Sequence, residues 1–284
     1  MYKTKSDERN EIIRDAEKTI GDYEKLIIRN ANKINDSIKA KNSTIKNPLD
    51  ICLIYSMQFV QLQKEIMQLQ KSNMHLCLLP LTRVALECYS VFKTISTILK
   101  KKCFDALELN KCIETIAYNS IQQEMSEFSS LDTGAQNSRI GQSYIEGLTA
   151  EITEVFGTSV LVVDSSGNTD LNATLKQIKQ GRPYLKNEKI SNRVRTALLN
   201  NPLISSQLST GEISYVYPNL SKSAHCNISS VVENTTQVFD GSKVKAFMTE
   251  NKNSVVYLGI CYNCLCDLFN DLELLLSSEK SSIR

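Results

Sequence analysis

Residues 4–38 read TKSDERNEIIRDAEKTIGDYEKLIIRNANKINDSI, and this stretch decides the fold class. Thr4 followed by Asp7 is a capping pattern, in which a hydroxyl accepts from the orphan amides of a starting helix. Ile12, Ala16, Ile20, Tyr23, Ile27, Ala31, Ile34 and Ile38 then recur at spacings of three and four, the period of one helix face. The spacing predicts one long amphipathic helix. Lys, Arg, Asp and Glu are mixed evenly over its other faces, which suits a solvated surface or a partner-facing rim. Four heptads of apolar spacing also allow a coiled-coil arm, and with it a homodimer or a protein partner through this helix.

Composition agrees with a helical chain. Ten Gly, five Pro and no Trp in 284 residues argue against a loop-rich β-sandwich and against a Gly-rich dinucleotide fold. A formal net charge of +2 gives no global field, so any nucleic-acid surface must be local. Nine Cys without an apolar leader in MYKTKSDERN suggest reduced thiols and a cytoplasmic protein. The apolar run 255–266 is interrupted by Asn263 and followed by Asp267, short of the roughly 20 residues of a bilayer span, so no membrane partner is expected.

Further helices follow by the same logic. Asn47-Pro48-Leu49-Asp50 is a strong helix start. The helix after it carries Ile51, Ile54, Tyr55, Gln58, Leu62, Ile66, Leu69 and Asn73, and Pro80 is expected to kink or break it. A third helix is expected over about 81–99, and a fourth over 103–128 with Phe104, Leu107, Cys112, Ile116 and Ile121 inward. A turn-rich loop at 129–142 precedes a helix over 143–156 that Gly157 closes. Two β-branched runs, 159–163 and 213–217, could pair as a small hairpin inserted among the helices. Beyond Pro218 a helix is expected to about Phe239, and a long buried one from Ser242 to about Leu276. The expectation is an all-α multi-helix bundle with long N- and C-terminal helices. It would form a single domain over 1–284, with 129–217 as an inserted or variable segment.

Chemistry gathers at two polar clusters. Arg83 and Glu87 stand four apart in the apolar run LLPLTRVALECY, on one helix face, where unpaired charge would be costly. Tyr217, Ser221 and His225 follow one another at steps of four, placing an imidazole, the side chain best suited to move protons near neutral pH, in line with two hydroxyls. Each cluster has a structural alternative: an internal ion pair in the first, a satisfied core histidine in the second.

Together, Arg83-x3-Glu87 and Tyr217-x2-Leu220-Ser221-x3-His225 resemble uncharacterised bacterial helical families in which such elements pack together. Those families are similar to HEPN domains, helical bundles of toxins and phage-defence systems, many of them metal-independent ribonucleases. The resemblance implies a catalytic or binding site of Arg83, Glu87, Tyr217, Ser221 and His225, acting on RNA without a metal or other cofactor. His225 would move the proton of a ribose 2′-hydroxyl and Arg83 would stabilise charge on the phosphate. Neither His75 nor His225 has an Arg four to six positions earlier, so the site would be assembled from two helices. The alternative is a non-catalytic interaction or regulatory module that oligomerises through its helices.

A separate basic stretch contains Lys176, Lys179, Arg182, Lys186, Lys189, Arg193 and Arg195, with Glu188 its only acid. After the Gly181-Arg182-Pro183 break, Arg182, Lys186, Lys189 and Arg193 advance at helical spacing beside Tyr184, which would suit phosphate contact and stacking; a solvated lysine-rich face is the other reading. Cys261, Cys264 and Cys266 do not share one helix face, which suits zinc poorly, so no metal site is expected. P-loop, Gly-x-Gly-x2-Gly, His-Glu-x2-His and Gly-x-Ser-x-Gly patterns are absent, which argues against ATPase, dehydrogenase, zincin and α/β-hydrolase chemistry.

Overall fold

The structure, a computed structural model, describes residues 5–39, 48–72, 75–101, 105–130, 138–165, 167–186, 188–224, 239–240, 243–244 and 252–278. The elements among them are α1 (Lys5–Lys39), α2 (Pro48–Lys71), α3 (His75–Leu99), α4 (Ala106–Ser129), α5 (Arg139–Phe156), α6 (Leu171–Gly181), α7 (Ile190–Leu199), the single-turn α8 (Pro202–Ser205), α9 (Thr210–Ala224) and α10 (Lys252–Ser278). The expected all-α class is the class observed. No helix among the described residues is long and apolar enough to cross a membrane.

In α1 the buried stripe is Ile13, Ala16, Ile20, Tyr23, Leu26 and Asn30, while Ile12 and Ile27 of the expected face are only half-buried. In α2 the core side falls on Cys52, Ser56, Phe59, Gln63, Ile66 and Gln70, and Ile54 of the expected face stands 49% exposed. In α4, Leu109, Tyr118, Ile121 and Met125 turn inward, whereas Leu107 is 57% exposed. Asp105 caps that helix by accepting from the Leu107 amide.

Pro80 does not break the chain as expected. The interruption falls earlier, after Lys71, and Pro80 lies in the second turn of α3. As the sixth residue of α3 it removes one intrahelical hydrogen bond, and the buried Leu79 and Thr82 on either side of it carry the helix through. Pro218 likewise sits inside α9 rather than ahead of a helix. The hairpin expected between 159–163 and 213–217 is not formed. Residues 158–160 make a 3-10 turn, Val163 bridges Thr169, and 213–217 are helical. Ile213, Val216, Tyr217 and Leu220 are the buried residues there, and their spacing is that of a helix, not of a strand. A two-residue antiparallel ladder pairs Phe239–Asp240 with Lys243–Val244. The expected helix continuation over 225–238 lies outside the described residues, whereas Phe239 and Lys243–Val244 stand in the ladder and not in the helices expected to about 239 and from 242; the last helix spans Lys252–Ser278.

The chain divides into two compact units: 1–36, 51–97 and 189–284 in one, and 37–50 with 98–188 in the other. These boundaries do not coincide with the 129–217 segment set apart by the sequence. In the larger unit, the Tyr23 hydroxyl pairs with Ser56 Oγ at 2.9 Å and ties α1 to α2. The Phe59 and Tyr89 rings meet at 6.0 Å between α2 and α3. In the smaller unit, α4, α5 and α6 enclose a core that includes Ile121, Ile152, Phe156, Leu171 and Ile178. Burying each such side chain contributes about 1.5–3 kcal/mol. Gly157 ends α5 with φ 86°, a backbone state that side chains disfavour, and so allows the sharp exit into the 3-10 turn.

Candidate functional site

Helix α3 carries two polar stripes through an apolar environment, and neighbouring helices answer both. On the first, Arg83 Nε donates to Glu87 Oε1 at 3.0 Å and to the Tyr217 hydroxyl of α9 at 3.2 Å. The Tyr217 hydroxyl in turn donates to Glu87 Oε1 at 2.5 Å, closing a three-membered ring of hydrogen bonds. The Arg83 guanidinium also lies 5.5 Å from the Tyr217 ring centroid, within reach of a cation–π contact. Tyr217 therefore meets the Arg83–Glu87 pair from 130 residues or more along the chain.

The electrostatics follow from this geometry. Burial and then the hydrogen bond to Glu87 push the Tyr217 phenol up to about 12, so it is a donor throughout the physiological range. Burial alone would lower the Arg83 guanidinium, but Tyr217 and Glu87 outweigh it and raise its pKa. Burial, followed by the neighbouring Glu87 charge, pushes the Cys88 thiol up to about 11, which leaves it a poor nucleophile. The Arg83 and Glu87 side chains keep 20% and 27% exposure, so their ion pair contributes less than about 1 kcal/mol. Ser221 is half-buried one turn beyond Tyr217. His225 lies outside the described residues.

The second stripe was not anticipated. Lys93, only 6% exposed, donates to both carboxylate oxygens of Asp267 at 2.8 and 2.7 Å and to Asp271 at 3.2 Å. Tyr89 donates to Asp267 at 2.7 Å and Ser96 to Asp271 at 3.0 Å. Asn201, whose side-chain oxygen caps α8, donates through its amide nitrogen to the Tyr89 hydroxyl at 3.1 Å and to the Asn263 carbonyl at 3.2 Å. The cluster thus joins α3, α8 and α10 in the core of their unit. Its signal was present in the sequence: a lone Lys in an apolar helix, and two Asp four apart in another.

The basic stretch does not form one face. Residues 182–186 and 188–189 are not helical, and the stretch is divided between the two units. Arg193 is buried on α7, with Nε donating to Ser90 Oγ at 3.2 Å. Arg182 donates to Glu114 at 3.1 Å, packs 5.1 Å from the Phe156 ring centroid, and shares Glu114 with the Tyr184 hydroxyl. These two arginines are thus engaged in packing, contrary to the expected cationic face. Pro183 follows Arg182, which disfavours helical continuation, and Asn119 of α4 binds the extended segment at Lys186 and Glu188. Lys176, Lys179, Lys186, Lys189 and Arg195 are exposed. Among the described residues no group of three or more His, Cys, Asp or Glu is placed to hold a metal ion.

No protein-family model matches the chain, and no curated protein or solved structure matches it.

Proposed function

We propose that this chain is a nucleic-acid-directed effector of toxin or phage-defence type, with RNA the favoured target, working through the α3–α9 junction. The observation that carries the proposal is the convergence of Arg83, Glu87 and Tyr217 from distant parts of the chain at a place where Arg83 and Glu87 are still part-exposed. A guanidinium oriented by a carboxylate and a phenol is suited to hold a phosphate. Tyr217, protonated up to about 12, is a donor and not a base. Proton transfer at a ribose hydroxyl therefore falls to His225, two steps of four along the same series. Lys189 and Arg195, exposed at and near the start of α7, add sequence-independent phosphate attraction. Cleavage needs no metal or other cofactor in this reading.

A second reading is a non-catalytic interaction module whose Arg–Glu–Tyr ring only fixes α9 on α3. It is favoured by Arg83 Nε being shared already between Glu87 and Tyr217. Binding of a labelled single-stranded RNA, followed by gel analysis of its integrity, separates the two. Arg83→Gln should weaken binding about tenfold, or about 1.4 kcal/mol, with the melting temperature nearly unchanged. His225→Ala should abolish cleavage while binding persists. RNA that neither binds nor breaks, with Arg83→Gln altering stability alone, would establish the interaction module.

A further inference from the structure

In the smaller unit, α4 and α5 leave a surface groove of about 570 Å³ between Glu124 on one side and residues 139–151 on the other. Its apolar part is Leu148, the 84% exposed Ile140, and Tyr144, whose ring stacks on Phe128 at 5.3 Å. Its polar part holds Glu124, Glu151, Ser143 and one cation, Arg139, and Glu127 lies close enough to join burial, Glu124 and Glu151 in raising the Tyr144 phenol, so carboxylates outnumber the cation. None of these three carboxylates pairs with a cation among the described residues. Gly147 lies in the groove in mid-helix, and a Cβ there would meet nothing within 4 Å. A glycine at such a position is about 0.5–1 kcal/mol less stable than alanine, and packing within the chain gives no reason for it.

The complementary surface is on the same unit. Lys176 and Lys179 stand three apart on the outer side of α6, and Lys186 follows; all are exposed and have no acidic partner among the described residues. We propose that the α4–α5 groove docks the α6 side of a second copy of this chain, with Lys176, Lys179 and Lys186 against Glu124, Glu127 and Glu151. The two surfaces differ, so the contact is head-to-tail, and the aliphatic stems of the lysines cover Ile140.

Sedimentation velocity of the full chain at ~0.05 M and ~0.5 M salt tests this, because screening shortens the reach of exposed charge from about 14 to about 4 Å. Self-association is expected at low salt and at least tenfold weaker at high salt. Glu124→Lys with Glu127→Lys and Glu151→Lys should abolish it, as should Lys176→Glu with Lys179→Glu and Lys186→Glu. Mixing the two charge-reversed proteins should restore assembly, since each groove again meets opposite charge. Gly147→Phe should block association without changing any charge. A wild type that stays monomeric at low salt, association that survives both reversals, or lysine variants that change RNA binding alone would overturn the proposal.

Discussion

Tyr217 gives Arg83 an acceptor and Glu87 a donor, so removing its hydroxyl unsatisfies both sides of the α3–α9 junction at once. Tyr217→Phe should lower stability by about 1–2 kcal/mol in urea titrations, since the residue is buried and the hydrogen bonds are charge-assisted. Its titration carries a sign. Because the folded pKa is raised to about 12 from the ordinary 10.0, the native chain holds this proton after the unfolded chain has lost it. Its contribution is complete below pH 10.0, declines above it, and is gone once pH has risen through about 12. Tyr23, buried and also raised to about 12, acts in the same direction. Stability should therefore fall steadily over that window, less steeply in Tyr217→Phe; an identical slope would contradict the assignment. Lys93 is a harsher case, because its loss leaves Asp267 and Asp271 facing each other in the core. Lys93→Met should remove about 3–5 kcal/mol, and adding Asp267→Asn and Asp271→Asn should return part of it. Arg83 and Glu87 were legible in the sequence because opposite charges four apart in an apolar run identify themselves. Lys93 was equally visible, yet its partners lie more than 170 residues away, and no local spacing joins them.

At the scale of elements, the helix caps distinguish local from tertiary contributions. Asp170 only accepts from the Ala173 amide at the start of α6, whereas Asn201 caps α8 and also reaches Tyr89 and Asn263. Asp170→Ala should lower stability by about 1 kcal/mol, the ordinary effect of losing a cap. Asn201→Ala should lower it by at least about 2 kcal/mol, because the Tyr89 hydroxyl and the Asn263 carbonyl lose their donor as well. Equal losses in thermal melts would mean that the Asn201 network is incidental. The Pro48 start and the Gly157 stop were readable from local chemistry. The prolines at 80 and 218 were misread because each removes one helical hydrogen bond, and packing decides whether the helix continues past that loss. The run 213–217 was misread because β-branching is a weak local preference, outweighed once Ile213, Tyr217 and Leu220 find a common buried side.

For the whole molecule, all-α architecture followed from low glycine and proline content and from the three-and-four spacing of α1. The division into two units did not, since it depends on which distant segments close over which core: residues 189–284 return to the unit that 1–36 begins. The meeting of α3 and α9 was expected from a resemblance, and the structure places Arg83, Glu87 and Tyr217 in contact. A break at residues 181–183 was visible in the sequence, but the loss of a common basic face beyond it was not, because it turns on the grip of Asn119 across 67 residues. The central claim is action on RNA through the α3–α9 junction, and induced expression in a bacterial host tests it most directly. Growth and total RNA are followed for wild type, Arg83→Gln and His225→Ala, with melting curves of each purified protein. Growth arrest with RNA loss in the wild type, absent in both variants although they melt like it, is the result predicted. Unimpaired growth with intact RNA in the wild type, or arrest that persists in both folded variants, would contradict the account.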